Sequence, residues 1–440
     1  MTVPKIRIKT EGFRAINKSD IIINGITVVA GENGCGKSTI SKLLYYLYKT
    51  TSNYNELVAV DLSENLKNIY RFLDIMRHEI FPFIKDRNKR EDLKKELIEL
   101  RNNKELPINI QEDRWISTIQ KTESVYINLI SDDKENQRFK ERISRLKYIL
   151  KDILNEKKIE LVENNNLPFE KIIEVVESLF KEAYGKMESR PSSLFNEALF
   201  DVFGEVELPK LFEVLEFDQH IVSNTKNYLS IPYTIQNSIY IDSPLMIGEN
   251  FYNNEYWNDL NDLLIKKGKS NFSKLSQQIN KDVINGDISV EDDPFSNSGF
   301  IFKRNDGAIF NLLDCATGVK SFAILQLLLN NGSLTDKTLL IIDEPESHLH
   351  PQWIIEYARL IVLLNKEIGV NFFIASHNPD MVSAIKYISE KEGTTDGLNF
   401  YLAEKEKNKL QYNYRHLRTE IDPIFGSFNI AIDRINMYGA

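Results

Sequence analysis

The sequence predicts an α/β fold in which a mixed, mainly parallel sheet with a small antiparallel N-terminal subdomain carries a large α-helical insertion. Three observations predict it. Ile26–Ala30, Leu339-Leu340-Ile341-Ile342 and Phe372-Phe373-Ile374-Ala375 are short, continuous apolar runs, the pattern of strands buried on both faces. Each run is followed at once by a polar cluster, and active groups of α/β sheets gather at the carboxyl ends of strands. Residues 51–234 differ in kind, with long, charged helical patterns and no glycine-rich loops.

At the amino end, Lys5-Ile6-Arg7-Ile8-Lys9 alternates with period two, and Asn24-Gly25 between two apolar runs is a tight hairpin signal. A small antiparallel sheet is therefore expected ahead of Gly31-Glu32-Asn33-Gly34-Cys35-Gly36-Lys37-Ser38 and Thr39, which form a complete phosphate-binding loop. Such a loop brings backbone N–H groups to phosphate oxygens, and its glycines permit an approach that a Cβ would obstruct. Lys37 is placed to reach the β- and γ-phosphates and the Ser38 hydroxyl to ligate Mg²⁺. Residues 38–49 read as a helix whose positive end faces the anion.

Within residues 51–234, Phe139, Ile143, Leu146, Leu150 and Ile153 follow a 4-3-4-3 spacing, and Leu93, Leu97 and Leu100 make a shorter stripe. The two stripes are candidates for the arms of a short helical hairpin. The basic run from Lys85 to Lys95 is interleaved with Glu91 and Asp92 and reads as a solvated face. Arg71 and His78 stand at a spacing loosely like that of helical ribonuclease sites, but Phe72 sits where such sites favour a polar residue.

Strand character returns at Ser238-Ile239-Tyr240-Ile241, residues 251–285 read as helical, and residues 299–312 read as a hairpin about Asn305-Asp306-Gly307. Residues 317–329 have helical periodicity, and a further helix is expected between Ile424 and Met437. Asp343 and Glu344 end one buried run; Asp343 suits Mg²⁺, and Glu344 is placed to orient or deprotonate an attacking water. His377 ends another and is placed to sense a γ-phosphate and hold that water from the other side. Asn378 and Pro379 then make good N-cap and N1 residues for the next helix.

A formal net charge of −9 argues against a body that binds DNA through bulk charge. Two cysteines, Cys35 and Cys315, make no disulfide framework, and no run approaches the ~18 apolar residues needed to cross a bilayer. The expected setting is soluble and cytoplasmic.

In order, the phosphate loop, Thr317-Gly318-Val319-Lys320-Ser321, the run from Ile341 to Pro351 and Ala375-Ser376-His377-Asn378-Pro379 look like the motifs of ABC-type ATPase heads. The branch resembled is that of RecF- and SMC-like proteins and the ATPase halves of overcoming-lysogenization nucleases. Glu344-Pro345-Glu346-Ser347-His348-Leu349-His350-Pro351 is particularly similar to bacterial anti-phage ATPases such as the ATPase subunit of Septu-type systems. The resemblance covers about residues 1–50 and 236–405 and implies a P-loop head formed by residues 1–50 and 235–440, with residues 51–234 inserted. It implies ATP and Mg²⁺ as cofactors, with hydrolysis to ADP and phosphate. It also implies a head-to-tail dimer or higher oligomer, in which Thr317, Gly318 and Lys320 of one copy close over ATP held by Gly31 to Thr39 of another. Asp242-Ser243-Pro244 stands where the family carries a glutamine, and Ala316 and Thr317 where it usually offers serine. Too few residues follow Glu404 for the nuclease domain of the overcoming-lysogenization proteins. The expected partner is therefore a separately encoded nuclease or toxin effector in anti-phage defence, with DNA as a further candidate and no membrane. A DNA-repair ATPase acting directly on DNA, an ATP-dependent assembly scaffold and a transporter subunit are the competing readings.

Overall fold

A computed structural model describes residues 5–102, 106–132, 137–156, 167–204, 208–224, 226–247, 255–268, 275–277, 283–291, 299–407, 409–426 and 437–438. The chain divides into two compact units, residues 1–52 with 191–440 and residues 53–190.

The first unit is built on an eleven-stranded sheet. β1 (Ile6–Phe13) and β2 (Ile16–Ile23) form a hairpin about Arg14-Ala15. The other edge of β1 pairs antiparallel with β4 (Leu211–Glu216), which is followed outward by β5 (Gln219–Ser223) and β6 (Lys226–Leu229). The parallel half is centred on β3 (Ile26–Ala30), which lies between β12 (Asn371–Ser376) and β13 (Leu398–Lys405). Beyond β12 come β11 (Thr338–Asp343) and β7 (Asn237–Ile241), both parallel to it. β14 (Tyr412–Arg418) joins the two halves, antiparallel to β13 and parallel to β2.

Every residue of β3, β11 and β12 is buried, as the apolar runs at the centres of the strands require. Burying each such aliphatic side chain is worth about 1.5–3 kcal/mol, so the strands that carry the site are also the sheet's best-anchored part. A separate antiparallel sheet, β8 (Gly286–Glu291), β9 (Gly299–Arg304) and β10 (Ile309–Asn311), turns at Asn305-Asp306-Gly307, where Gly307 takes φ 89°. The unit's helices are α1 (Lys37–Ser52), α7 (Ser193–Phe203), α8 (Glu255–Ile265), α9 (Thr317–Asn330), α10 (Pro351–Ile368) and α11 (Pro379–Glu392).

The second unit is helical: α2 (Tyr54–Ile80), α3 (Arg87–Arg101), α4 (Ile108–Asp132), α5 (Gln137–Glu156) and α6 (Phe169–Ser189). On α2, Val58, Leu62, Leu66, Ile69, Leu73, Met76 and Ile80 recur at three- and four-residue steps and are buried. Both expected stripes are buried too, but they are not arms of one hairpin. Leu93, Leu97 and Leu100 belong to α3, which packs on α4, whereas Phe139, Ile143, Leu146 and Leu150 belong to α5, which packs on α2. The side chain of Ile153 lies outside the described residues.

Two further expectations change. Asn24-Gly25 does not close a hairpin, because β14 and β13 lie between β2 and β3 in the sheet. The Gly25 carbonyl instead accepts the N–H of Phe372 at 2.7 Å, which starts β3 beside β12. Residues 191–234 belong to the first unit and not to the insertion, since β4 extends the N-terminal antiparallel sheet through β1. Most of the helix expected between Ile424 and Met437 falls on residues outside those described, as does part of the helical stretch 251–285. Among the described residues, no helix is long and apolar enough to cross a membrane.

Candidate active site

The site begins with strand register. Ala30 pairs with Ser376, and Asp343 with Ala375, so β3, β11 and β12 end side by side and deliver the phosphate loop, the carboxylate pair and His377 to one edge.

The loop is preorganised from within. Lys37, the first residue of α1, is only 6% exposed, and its Nζ donates to the carbonyls of Gly31 at 2.9 Å and Glu32 at 3.0 Å. A Cβ on Gly31 would stand 2.8 Å from Cys35 Sγ and 2.9 Å from Ala403 Cβ. Gly36 takes φ 97°, and a Cβ there would lie 2.9 Å from Ile16. Tyr414 on β14 donates its hydroxyl to the Cys35 carbonyl at 2.9 Å, tying the loop to the sheet. Burial pushes the Cys35 thiol up while Lys37 pulls it down. An open cleft of about 390 Å³ is lined by Asn33, Gly34, Gly36, Lys37, Ser38 and Thr39 on one side and by Glu344, Arg14 and Ala15 on others.

Asp343 is 6% exposed. It accepts from Ser41 of α1 and, at 2.9 Å, from the Tyr240 hydroxyl of β7. Burial pushes its carboxyl above the ordinary range, against the Ser41, Ser38 and Tyr240 hydroxyls, which pull it down. A buried carboxylate beside the Ser38 hydroxyl is an all-oxygen donor pair, which suits Mg²⁺ and leaves coordination positions for water and phosphate. Asp242, at the end of β7, accepts the Tyr256 hydroxyl at 2.7 Å through Oδ2, while its Oδ1 is buried with no hydrogen-bond partner among the described residues.

Glu344 turns the chain sharply. Its φ is 50°, its N–H reaches the Ala375 carbonyl at 2.8 Å, and its own carbonyl accepts Ser347 N–H at 2.9 Å. A left-handed glutamate costs about 1 kcal/mol or more, and here it directs the carboxylate toward the cleft. His377 Nδ1 lies 3.3 Å from Glu344 Oε1 and 3.4 Å from Glu346 Oε1 without hydrogen-bond geometry to either.

Glu346 is the residue the sequence pattern left unassigned. It is 6% exposed, and its Oε1 accepts both Ser376 Oγ and His377 N–H at 2.9 Å, so it holds the β12 end in place. Glu346→Ala would leave two donors without an acceptor, one of them fully buried. We expect a loss of about 3 kcal/mol of stability, visible as a lowered midpoint in chemical denaturation, with Glu346→Gln recovering most of it. Arg14 and Tyr240 were equally silent in the sequence, because their proximity to the loop and to Asp343 arises only from strand order.

Asn378 caps α11 as its sequence suggests, accepting from Asp380 N–H at 2.7 Å and Met381 N–H at 3.1 Å, with Pro379 at the first helical position. Thr317, Gly318 and Lys320 do not line the loop cleft of their own chain. Gly318 and Lys320 are buried at the start of α9, where a Cβ on Gly318 would meet the Trp353 ring at 2.7 Å, while Thr317 is half-buried and Ala316 exposed.

Over 73 residues the chain is 37% identical to the energy-coupling factor transporter ATP-binding protein EcfA1 of Mycoplasmopsis pulmonis, a match covering 14% of this chain and 28% of that one. The chain thus spans little more than a quarter of that relative's length. Among solved structures, the Smc head domain of Pyrococcus furiosus, with an extended coiled coil and bound to the C-terminal domain of ScpA, matches at 12% identity and a TM-score of 0.35, over 98% of each chain. The SMC head domain from Thermotoga maritima matches at 10% identity and a TM-score of 0.36, over 95% of this chain and 99% of that one. The family described as "AAA domain, putative AbiEii toxin, Type IV TA system" matches residues 26–383. Those residues run from the first residue of β3 into α11 and so take in the loop, the carboxylates and His377; the chain belongs to that family of P-loop ATPase domains.

Proposed function

We propose that the chain binds ATP with Mg²⁺ at Gly31 to Thr39, hydrolyses it slowly, and uses the bound state to dimerise and regulate a separately encoded nuclease or toxin effector in anti-phage defence. The observation that supports the chemistry is the strand register, which ends β3, β11 and β12 side by side, so that Lys37 and Glu344 line one cleft with Asp343 and His377 at the neighbouring strand ends.

Lys37 and the loop N–H groups bind the β- and γ-phosphates. Ser38 and Asp343 would hold Mg²⁺, which would offset phosphate charge. Glu344 orients a water for in-line attack and takes its proton, and His377 steadies the γ-phosphate side. A carboxylate beside a triphosphate is repelled unless Lys37 and the metal neutralise the phosphates, so Glu344 acts only when the site is loaded. Thr317 and the N-terminus of α9, which do not line their own cleft, close over the ATP of a second copy.

The effector is tested by purifying the protein from its own locus with ATP and Mg²⁺ and identifying what accompanies it. A co-purifying nuclease or toxin supports the regulatory reading. Recovery of the ATPase alone, with turnover stimulated by DNA, replaces it with a DNA-repair ATPase.

A further inference from the structure

The helical unit contains a second cleft that the ATPase reading does not use. It measures about 480 Å³, within the range of small-molecule sites, and is formed where one face of α2 meets the end of α3 and the first turns of α4.

Its lining is chemically mixed in an ordered way. Lys67, Arg71 and Arg101 supply three cations and Glu64 one anion, a local excess of positive charge on a chain whose net charge is −9. Glu64 engages Lys67 at 3.0 Å. Among the described residues neither Arg71 nor Arg101 has a carboxylate within ion-pair distance, although acids outnumber bases in the chain by 64 to 55. Two aromatic residues also line it: Tyr70 is half-buried, and Trp115, 5% exposed, closes its floor. Burial and the Asp74 carboxylate push the Tyr70 hydroxyl up, against Arg101 and Arg77, so it remains a donor near neutral pH.

Unpaired guanidinium groups give bidentate recognition of phosphate, and aromatic faces stack heterocyclic bases. We infer that this cleft is a second nucleotide site, holding a purine nucleotide with its base against Tyr70 and its phosphate between Arg71 and Arg101. It shares no lining residue with the cleft at the Gly31 to Thr39 loop.

The test is calorimetric titration of the full-length Lys37→Ala chain with AMP and GMP, with adenosine and pyrophosphate as separate arms. The expected result is one saturable nucleotide site per chain, weakened at least about tenfold by adding Arg71→Ala and Arg101→Ala, with adenosine and pyrophosphate each binding more weakly than the nucleotide. Both arginines are exposed, so the double variant should keep its circular dichroism and melting midpoint. The same pair in the parent chain removes one site from the measured stoichiometry whether or not the loop binds ATP. No saturable binding at about 2 mM nucleotide, or binding indifferent to both arginines, overturns the inference. Pyrophosphate bound as tightly as AMP overturns its nucleotide part.

Discussion

Lys37→Ala is expected to weaken ATP binding about 100-fold while leaving the fold intact. The Nζ of Lys37 already sits among the loop carbonyls, bonded to Gly31 and Glu32, so its charge is held in place before the ligand arrives. Charge-assisted hydrogen bonds to phosphate are worth about 1.5–3 kcal/mol each, and 2.7 kcal/mol is roughly two decades in affinity. The carbonyls it leaves belong to half-buried Gly31 and exposed Glu32, where water can replace Nζ, so stability should fall by no more than about 1 kcal/mol. Titration with ATP and Mg²⁺, alongside a denaturation curve, separates the two effects. Affinity equal to the parent's would remove Lys37 from the site.

Glu344→Gln should do the opposite: bind ATP as the parent does, yet lower turnover about 100- to 1,000-fold, the span general-base removal commonly costs. Glutamine is nearly the shape of glutamate and can take up the same left-handed turn, whose backbone bonds to Ala375 and Ser347 do not involve the side chain. With hydrolysis blocked, the ATP-bound state accumulates, and the predicted consequence is a dimer stable enough to isolate. Light scattering with ATP and Mg²⁺ should then report twice the monomer mass for this variant and less for the parent. Turnover at the parental rate would assign the base elsewhere, with His377 and Glu346 as the neighbouring groups to test next.

What the sequence made legible follows from the range of each interaction. The phosphate loop, the buried runs before Asp343 and His377, and the Asn378-Pro379 helix start are written in contiguous residues, because backbone approach, continuous burial and capping are local requirements. The mistaken hairpin at Asn24-Gly25 shows the limit. Its turn chemistry is sound, yet β3 finds better burial between β12 and β13, partners more than 340 residues away in sequence. The same holds for β4: the apolar residues of Leu211-Phe212-Glu213-Val214-Leu215-Glu216 fall in pairs and do not alternate, so only its pairing with β1 marks it as a strand. Tyr240 and Ser41 approach Asp343 from 103 and 302 residues away, and no spacing rule connects them. Glu346 was in plain view within its motif, but its role depends on β12 ending directly beside it.

The most direct test of the account is steady-state phosphate release by the unmodified chain with ATP and Mg²⁺, measured across a wide range of protein concentration. A site completed by Thr317 and α9 of a second copy turns over only in the dimer. Specific activity should therefore climb with protein concentration and level off once the chain is paired, at a slow rate of about 1 per second or below. Absence of turnover, or a specific activity that stays flat from dilute to concentrated protein, would contradict a composite, ATP-closed active site.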